Sequence, residues 1–429
     1  MRVKGLANEV ISHLLLTSVG VFSQLLIAPL YIRDFGQQGY SRISIILSLC
    51  AFALISDYGL YITASNRLVQ IFKTEGYFAL VLWRKYLRSV FLVFIVVAPI
   101  LYLYFITSAT KNPKLWEGLK HETIIFLLFL GAASTSLIQH SLLIKYQLID
   151  NFGRGLRILA ILRLAEVSIL AICLYLKMNL VVFAIVTFFV RALSTAFIFM
   201  LTRRLLDVQK VKSQALVVGD GFILFRQSVP KALFNLANLL GLHGTMLVAS
   251  LWIEPRLLFS MLIARMITSP VRFLSDSLIN GGLPRLTNHF RKLGDRSEMV
   301  GKASNNFRVV VFACLGFIIL FAGTSILGPI LWRYLSLSHA GYPRVLILFF
   351  LVSTYLDAVS AVMAMLGIAR HKDDRIQYVY FASTILALVL QYVMRYWWGV
   401  YSVPVSLLIG DLAFMLFAAS RVSMGRISK

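Results

Sequence analysis

The chain has 429 residues, of which 59% are hydrophobic and 14% are charged, whereas a soluble domain carries about 25% charged residues. This composition excludes a soluble multidomain enzyme, a disordered protein and a secreted disulfide scaffold, and it indicates a membrane protein. The formal net charge of +24 resides mostly in short gaps between apolar runs, where membrane topology places basic residues, so we expect no nucleic-acid partner.

A helix that crosses a bilayer needs about 20 mostly apolar residues, and twelve runs of the chain meet this requirement. In chain order, the predicted spans are 11–32, 43–66, 89–108, 123–144, 157–176, 180–201, 221–249, 257–279, 306–330, 345–368, 378–396 and 400–420. Arg2 and Lys4 precede the first run and no small-residue cleavage site follows, which predicts a retained span rather than a signal peptide. The connecting segments are too short for a nucleotide-binding domain, so we expect no ATP-driven pump.

The basic residues also predict the orientation of the chain. If the N-terminus is cytoplasmic, the inside gaps contain 25 Lys and Arg residues and the outside gaps contain 9, so both termini should face the cytoplasm. Asp57 and Asp276 follow similar sequences 219 positions apart, close to half the chain. This weak repeat predicts two six-helix lobes, residues 1–210 and 211–429, related by an axis along the membrane normal.

Eight basic residues lie inside the predicted spans, where a charged side chain costs about 2.5–3.5 kcal/mol unless it faces a partner or an aqueous cavity. They are Arg163, Arg191, Arg226, Lys231, Arg265, Arg272, Arg308 and Arg395. Several belong to polar stripes at helical spacing. The stripes are His13, Thr17, Gly20 and Gln24 on the first span, Lys231, Asn235 and Asn238 on the seventh, and Arg265 and Arg272 on the eighth.

These stripes have two interpretations. In the first, they line a central cavity for an anionic head group such as a pyrophosphate, because Arg binds phosphate bidentately and Lys supplies a point charge. In the second, the charges neutralise one another within the bundle, with Arg163 paired to Glu166 at i+3 and Arg272 to Asp276 at i+4. We favour pairing for Arg163 and cavity lining for Arg272. Lys231 has no acid within helical reach on its own span and is the strongest single candidate.

Acidic residues inside the spans could carry protons or bind Na⁺. They are Asp57, Glu166, Asp276, Asp357 and Asp411. For Asp57 and Asp276 we favour a structural role, because both precede basic helix exits. The chain has no P-loop, GxSxG or HExxH motif, so we expect no enzyme activity, no metal site and no cofactor.

Three stretches carry a resemblance to a known family: QLLIAPLYIRDFG at 24–36 followed by Tyr40, SDYGL at 56–60 and KYQL at 145–148. With them, the chain resembles a bacterial polysaccharide flippase of the O-antigen type, in the multidrug/oligosaccharidyl-lipid/polysaccharide (MOP) exporter superfamily. The resemblance implies an all-α, MATE-like membrane protein with about twelve helices in two six-helix lobes around a central cavity.

The implied substrate is an oligosaccharide on a polyprenyl pyrophosphate, which is turned from the cytoplasmic to the periplasmic leaflet of the bacterial inner membrane by alternating access. Membrane lipid is an implied partner, and a glycan polymerase and other polysaccharide-assembly proteins could associate with the chain. The first span has no Lys or Arg, which departs from the pattern of related flippases that hold the pyrophosphate with basic cavity residues.

Combined with the stripes, the resemblance assigns roles to individual residues. The pyrophosphate is attracted by Arg226, Lys231, Arg265 and Arg272, with Arg163 and Arg191 as candidates in the N-terminal lobe. Sugar hydroxyls or phosphate oxygens are bound by Gln24, Asn235 and Asn238. Ion coupling or helix geometry is assigned to Asp57, Glu166 and Asp276.

Three other functions stay open. A drug or cation antiporter of the same superfamily would need a cavity rich in carboxylates. A membrane glycan polymerase or ligase would need a large outer loop, and the longest outer gap, 109–122, is short. A non-catalytic scaffold would leave the basic residues of the spans without a role.

Overall fold

The computed structural model describes residues 3–53, 76–111, 121–148, 151–203, 220–272, 322–323, 326–335, 343–370 and 375–424, and these residues are nearly all helical. In chain order the helices are α1 (Val3–Ala53), α2 (Gly76–Lys111), α3 (Glu122–Leu148), α4 (Phe152–Tyr175), α5 (Leu180–Arg203), α6 (Asp220–Leu239), α7 (Thr245–Ser250), α8 (255–272), α9 (326–335), α10 (Arg344–Arg370), α11 (Arg375–Trp398) and α12 (Ser402–Met424). A π-helical turn, Leu240–Gly244, joins α6 to α7, and a 3₁₀ turn, Gly399–Tyr401, joins α11 to α12.

Within the described ranges, eight segments are long and apolar enough to cross a membrane. They are Ile11–Ala53, Val93–Lys111, Glu122–Tyr146, Phe152–Tyr175, Leu180–Arg203, Ala232–Ser250, Arg344–Ala361 and Arg375–Ala418. Large apolar side chains such as Ile161, Leu193 and Leu416 lie on the outside of these helices, an arrangement suited to lipid rather than to water. The predicted total of twelve spans stays a prediction, since parts of several spans lie outside the described residues.

The start of the chain differs from the predicted pattern of two spans separated by a loop at 33–42. Within α1, two helical segments meet at Gly36, which alone has non-helical backbone angles, with φ 72° and ψ 177°. Glycine adopts a positive φ without a steric penalty because it has no Cβ. One glycine therefore replaces the expected loop with a kink.

The described helices form two compact units, residues 38–255 and residues 1–37 together with 256–429. In the unit of residues 38–255, α3 packs against α4 and α5, and the rings of Phe105 and Phe126 stack with centroids 4.9 Å apart. These units do not coincide with the predicted lobes 1–210 and 211–429, because α1 and the seventh predicted span are grouped differently. The six-helix lobes stay a prediction.

In the unit of residues 1–37 and 256–429, α12 packs closely against α10 and α11. Tyr380 and Phe414 meet edge to face with ring centroids 5.0 Å apart, and both are buried. A Cβ on Gly410 would lie 2.8 Å from the carbonyl oxygen of Ser383 on α11. This close approach requires glycine and holds the middle of α12 against α11.

Candidate functional site

Glu166 on α4 lies between two arginines, and we call these three residues the Arg–Glu–Arg cluster. The Oε2 atom of Glu166 lies 2.9 Å from Nη1 of Arg163, and Oε1 lies 2.5 Å from Nε of Arg191 on α5. The side chain of Glu166 is 4% exposed, whereas those of Arg163 and Arg191 are 22% and 28% exposed. Two guanidinium groups thus share one buried carboxylate, and the cluster has a formal charge of +1.

Neutral side chains of α3 also contact Arg163. Its Nη2 atom donates to Oγ of Ser136 at 3.1 Å and to Oε1 of Gln139 at 3.3 Å. These acceptors orient the guanidinium without adding negative charge. The two arginines remain partly exposed, and guanidinium groups are suited to bind anions.

The turn between α4 and α5 positions Arg191 opposite Glu166. Lys177 has a positive φ of 54° in this turn, and the side chain of Asn179 accepts a hydrogen bond from the backbone N–H of Val182 at 2.9 Å. Asn is a favoured N-cap because its side-chain oxygen satisfies a free N–H group of the first helical turn. The cap fixes where α5 begins and therefore which of its residues face α4.

A second set of charged residues lies in the unit of residues 1–37 and 256–429. Arg272 on α8 pairs with Asp357 on α10, with 2.7 Å between Nη1 and Oδ2. The hydroxyl of Tyr380 on α11 donates to Oδ1 of Asp357 at 3.0 Å. Both carboxylate oxygens of Asp357 therefore accept a hydrogen bond, one of them from a cation.

Asp411 on α12 extends this set. It is 7% exposed, and among the described residues its Oδ2 atom is buried without a hydrogen-bond partner. Asp411 lies within electrostatic range of Asp357 and Arg272, and Arg265 is within range of the same two residues. We call Arg265, Arg272, Asp357 and Asp411 the four-charge cluster.

Gln24 on α1 contacts the face of α8 that carries Arg265 and Arg272. Ser269 donates to Oε1 of Gln24 at 3.3 Å, and Ser269 lies four residues after Arg265 and three before Arg272. Positions spaced in this way share one face of a helix. The structure thus brings three predicted site residues, Gln24, Arg265 and Arg272, to one region of this unit.

The predicted ion pair between Arg163 and Glu166 is confirmed. Arg272 is also paired, but with Asp357 from another helix. The partner considered from the sequence, Asp276, lies outside the described residues. Asp57 lies outside them as well. Whether Arg272 binds substrate stays a prediction.

The remaining predicted residues lie on α6. Asn235 is buried and Asn238 is half-buried. Arg226 and Lys231 belong to the same helix, but their side chains lie outside the described part of the chain. The predicted binding set is therefore divided between the two units.

Sequence patterns did not single out the neutral partners of these charges. Ser136 and Gln139 beside Arg163, Tyr380 beside Asp357, and Ser269 beside Gln24 are common residue types without a motif. Their only signal is a polar atom within an apolar helix. Within the described ranges, no group of three or more His, Cys, Asp or Glu residues could hold a metal ion.

Neither a protein-family model nor a curated protein sequence matches the chain. Solved structures do match. The eukaryotic MATE transporter AtDTX14 has a TM-score of 0.69 and 14% identity, covering 98% of this chain and 95% of its own. A MOP superfamily transporter from Pyrococcus furiosus has a TM-score of 0.62 and 13% identity, covering 98% and 96%.

A point mutant of the Vibrio cholerae MATE transporter VcmN has a TM-score of 0.61 and 13% identity, covering 99% of this chain and 97% of its own. At such low identity, these similarities establish the fold and no more. The structural neighbours of this multi-helix membrane chain are MATE transporters of the MOP superfamily.

Proposed function

We propose that the chain is a membrane transporter of the MATE type that carries an anionic lipid-linked oligosaccharide across the bilayer by alternating access. The Arg–Glu–Arg cluster is the observation that carries this proposal. It holds two guanidinium groups against one carboxylate on helices whose outer surfaces are apolar. Charged side chains at membrane depth are expensive and are normally retained for function, and the partly exposed guanidinium groups of Arg163 and Arg191 suit an anionic substrate.

A pyrophosphate bound to a polyprenyl chain fits this charge. Its oxygens accept the paired donors of Arg, and its lipid tail can stay in the bilayer while the head group crosses. The resemblance to polysaccharide flippases supports the same substrate class and transport toward the periplasmic leaflet. The distribution of basic residues supports an inner-membrane orientation with both termini in the cytoplasm. Membrane lipid, a glycan polymerase and other polysaccharide-assembly proteins are the proposed partners.

The neighbours also support a transporter over an enzyme, although their substrates differ. Some are described as multidrug resistance MATE transporters. For the Pyrococcus furiosus transporter, reverse polarity of the binding pocket is said to suggest a different function. The shared fold is therefore compatible with substrates of opposite charge, and the residues of this chain have to decide between them.

A drug or cation antiporter is the second candidate function. Asp357 and Asp411 favour it, because a cationic substrate needs carboxylates. Asp357, however, already accepts hydrogen bonds from Arg272 and Tyr380, and Glu166 is held by two arginines. Asp357 and Glu166 are thus engaged by the protein's own cations, which favours the anionic substrate.

The test is a flipping assay in proteoliposomes. The purified chain is reconstituted with a fluorescent polyprenyl-pyrophosphate oligosaccharide, and the fraction accessible to a membrane-impermeant quencher is followed over time. Arg191→Gln should slow flipping by roughly tenfold to a hundredfold, since one charge-assisted hydrogen bond contributes about 1.5–3 kcal/mol. Arg203→Gln is the matched control, because Arg203 is exposed at the end of the same helix, and it should keep the wild-type rate.

Lys231→Ala and Arg272→Ala should also abolish flipping while the proteins remain folded by size-exclusion chromatography. Flipping at the wild-type rate by both Arg191→Gln and Lys231→Ala would refute these binding roles. Transport of a cationic dye in place of the lipid would instead support the antiporter.

A further inference from the structure

We propose that the C-terminal end of α11 is a binding site for an anionic phospholipid of the surrounding leaflet, whose phosphate is held by Arg395. The site consists of Arg395 and the rings of Tyr392 and Tyr396, which we call the Arg395 stack. The bound lipid stays in its leaflet, so the inference does not depend on which substrate the chain transports.

Contacts within α11 fix the position of the guanidinium group of Arg395. Its Cζ atom lies 3.7 Å from the ring centroid of Tyr392 and 4.5 Å from the ring centroid of Tyr396. Its Nη2 atom also donates a hydrogen bond to the hydroxyl of Tyr396. A cation within about 6 Å of an aromatic ring centroid is attracted by the ring, so the two tyrosines hold the guanidinium in place.

The stacking prepares Arg395 for a phosphate. Aromatic rings contact the face of a guanidinium, whereas its hydrogen bonds lie in its plane, where the fork of donors matches two phosphate oxygens. Binding of a phosphate therefore does not compete with the stacking. A side chain that is already ordered also loses less conformational freedom when the ligand binds.

The length of α11 puts the Arg395 stack at the membrane surface. Arg395 comes twenty residues after Arg375, the first residue of α11, and a rise of about 1.5 Å per residue puts the two roughly 30 Å apart. The hydrocarbon core has about this thickness, roughly 30 Å, and none of the residues 376–394 is charged. The two arginines thus bracket the core, and Arg395 lies at the level of the lipid phosphates.

Exposed aromatic side chains beside the stack support this depth. Tyr396 and Trp397 are each 75% exposed, and Trp398 is 47% exposed. Tyr and Trp have an apolar ring and one polar group, and both are enriched where the membrane meets water. These rings therefore contact the lipid next to its head group.

The charge of this end of α11 favours an anionic lipid. Arg395 is the one charged residue between Arg375 and Asp411, so no acid close to it in the sequence offsets its charge. Basic side chains near the membrane surface attract anionic head groups. The phosphate of phosphatidylglycerol is the only charge of its head group, whereas that of phosphatidylcholine is balanced by an ammonium group. Arg395 should therefore select phosphatidylglycerol.

The experiment is photocrosslinking of the purified full chain in nanodiscs of phosphatidylcholine. A small fraction of photoactivatable phosphatidylglycerol or phosphatidylcholine is added, with the reactive group close to the head group. Mass spectrometry then quantifies the labelled peptide that contains residues 392–398. We expect the phosphatidylglycerol probe to label this peptide about fivefold more than the phosphatidylcholine probe does.

Arg395→Gln should reduce labelling by the phosphatidylglycerol probe to about the level of the phosphatidylcholine probe. Arg256→Gln is the matched control, because Arg256 is an exposed arginine at the start of α8, and it should keep the wild-type labelling of this peptide. Tyr392→Leu keeps the charge and removes one ring of the stack. It should lower labelling by the phosphatidylglycerol probe about twofold or more.

Three results would overturn the inference. The first is equal labelling by the two probes in the wild type, and the second is wild-type labelling by folded Arg395→Gln. The third is labelling that excess farnesyl pyrophosphate suppresses and excess unlabelled phosphatidylglycerol does not, which would assign the stack to the transported lipid. If Arg395→Gln does not fold, the ratio of the two probes in the wild type and the loss in Tyr392→Leu decide.

Discussion

The Arg–Glu–Arg cluster and the four-charge cluster differ in how their charged side chains are paired within the helices. In the first, two arginines share one carboxylate, and each of its oxygens accepts a hydrogen bond from a guanidinium group. In the second, two arginines face two aspartates, and one carboxylate oxygen of Asp411 is buried without a hydrogen-bond partner among the described residues. The difference is that the carboxylate of the first cluster is paired with cations through both oxygens, whereas the second cluster contains a buried carboxylate oxygen that has no such partner among the described residues.

Glu166→Ala should produce the largest effect on stability. The change leaves Arg163 and Arg191 facing each other without the buried carboxylate, and removing one partner of a buried pair costs about 3–5 kcal/mol. Thermal unfolding in detergent measures the loss, with the exposed Glu254→Ala as the control. Inorganic pyrophosphate should raise the unfolding temperature of Glu166→Ala more than that of the wild type. Equal stability of Glu166→Ala and the wild type would show that the acid is not needed to hold the two arginines.

Asp357→Asn should destabilise the protein less than Glu166→Ala does, by about 2–3 kcal/mol. Asparagine can still accept the hydrogen bond from Tyr380, and only the charge opposite Arg272 is lost. A double-mutant cycle with Arg272→Gln isolates the ion pair. We expect the double mutant to be clearly more stable than the sum of the single changes predicts. Additive losses would mean that the 2.7 Å contact contributes little.

Gly410→Ala tests the packing that positions Asp411. The added Cβ would lie 2.8 Å from the carbonyl oxygen of Ser383 and 2.9 Å from Cβ of Ala387, so α11 and α12 must separate, at a cost of about 1–3 kcal/mol. Gly20→Ala is the control, because no atom lies within 4 Å of its added Cβ. Chemical denaturation measures the free energy of unfolding of both variants. If Gly20→Ala lowers it as much as Gly410→Ala does, the packing explanation is wrong.

Tyr380→Phe should give the smallest effect, about 1 kcal/mol or slightly more. The ring keeps its contact with Phe414 and loses one hydrogen bond to Asp357. Tyr104→Phe provides the comparison in the other unit, where the hydroxyl donates to the neutral backbone oxygen of Leu247 at 2.8 Å. Hydrogen bonds to charged acceptors are stronger than those to neutral acceptors. Tyr380→Phe should therefore lower the free energy of unfolding more than Tyr104→Phe does. The reverse order would contradict a strong hydrogen bond between Tyr380 and Asp357.

The sequence predicts features that depend on one helix at a time. The apolar runs anticipate α4 and α5 to within a few residues, because length and hydropathy are local properties. The pair Arg163–Glu166 is predictable for the same reason, since three residues along a helix bring two side chains to one face. His243, by contrast, has its partner on another helix, since its Nδ1 shares a hydrogen bond with Oγ of Ser48 at 3.2 Å.

Contacts between helices could not be predicted in this way. Arg191 and Glu166 are 25 positions apart, and Arg272 and Asp357 lie on α8 and α10, so no periodicity connects them. The sequence offered Asp276 as the partner of Arg272 because only partners on the same span can be identified from spacing. The kink at Gly36 was missed because the polar residues around it resemble a loop.

The π-helical turn at Leu240–Gly244 has a consequence for the seventh predicted span. A π turn contains one residue more than an α turn, and each residue rotates an α-helix by about 100°. The turn therefore determines the angular offset between the side chains before it, such as Asn235 and Asn238, and those after it. The loss of a single residue here would turn the polar stripe of α6 by more than a quarter of a revolution relative to α7, so insertions and deletions in this short stretch would do more harm than most substitutions.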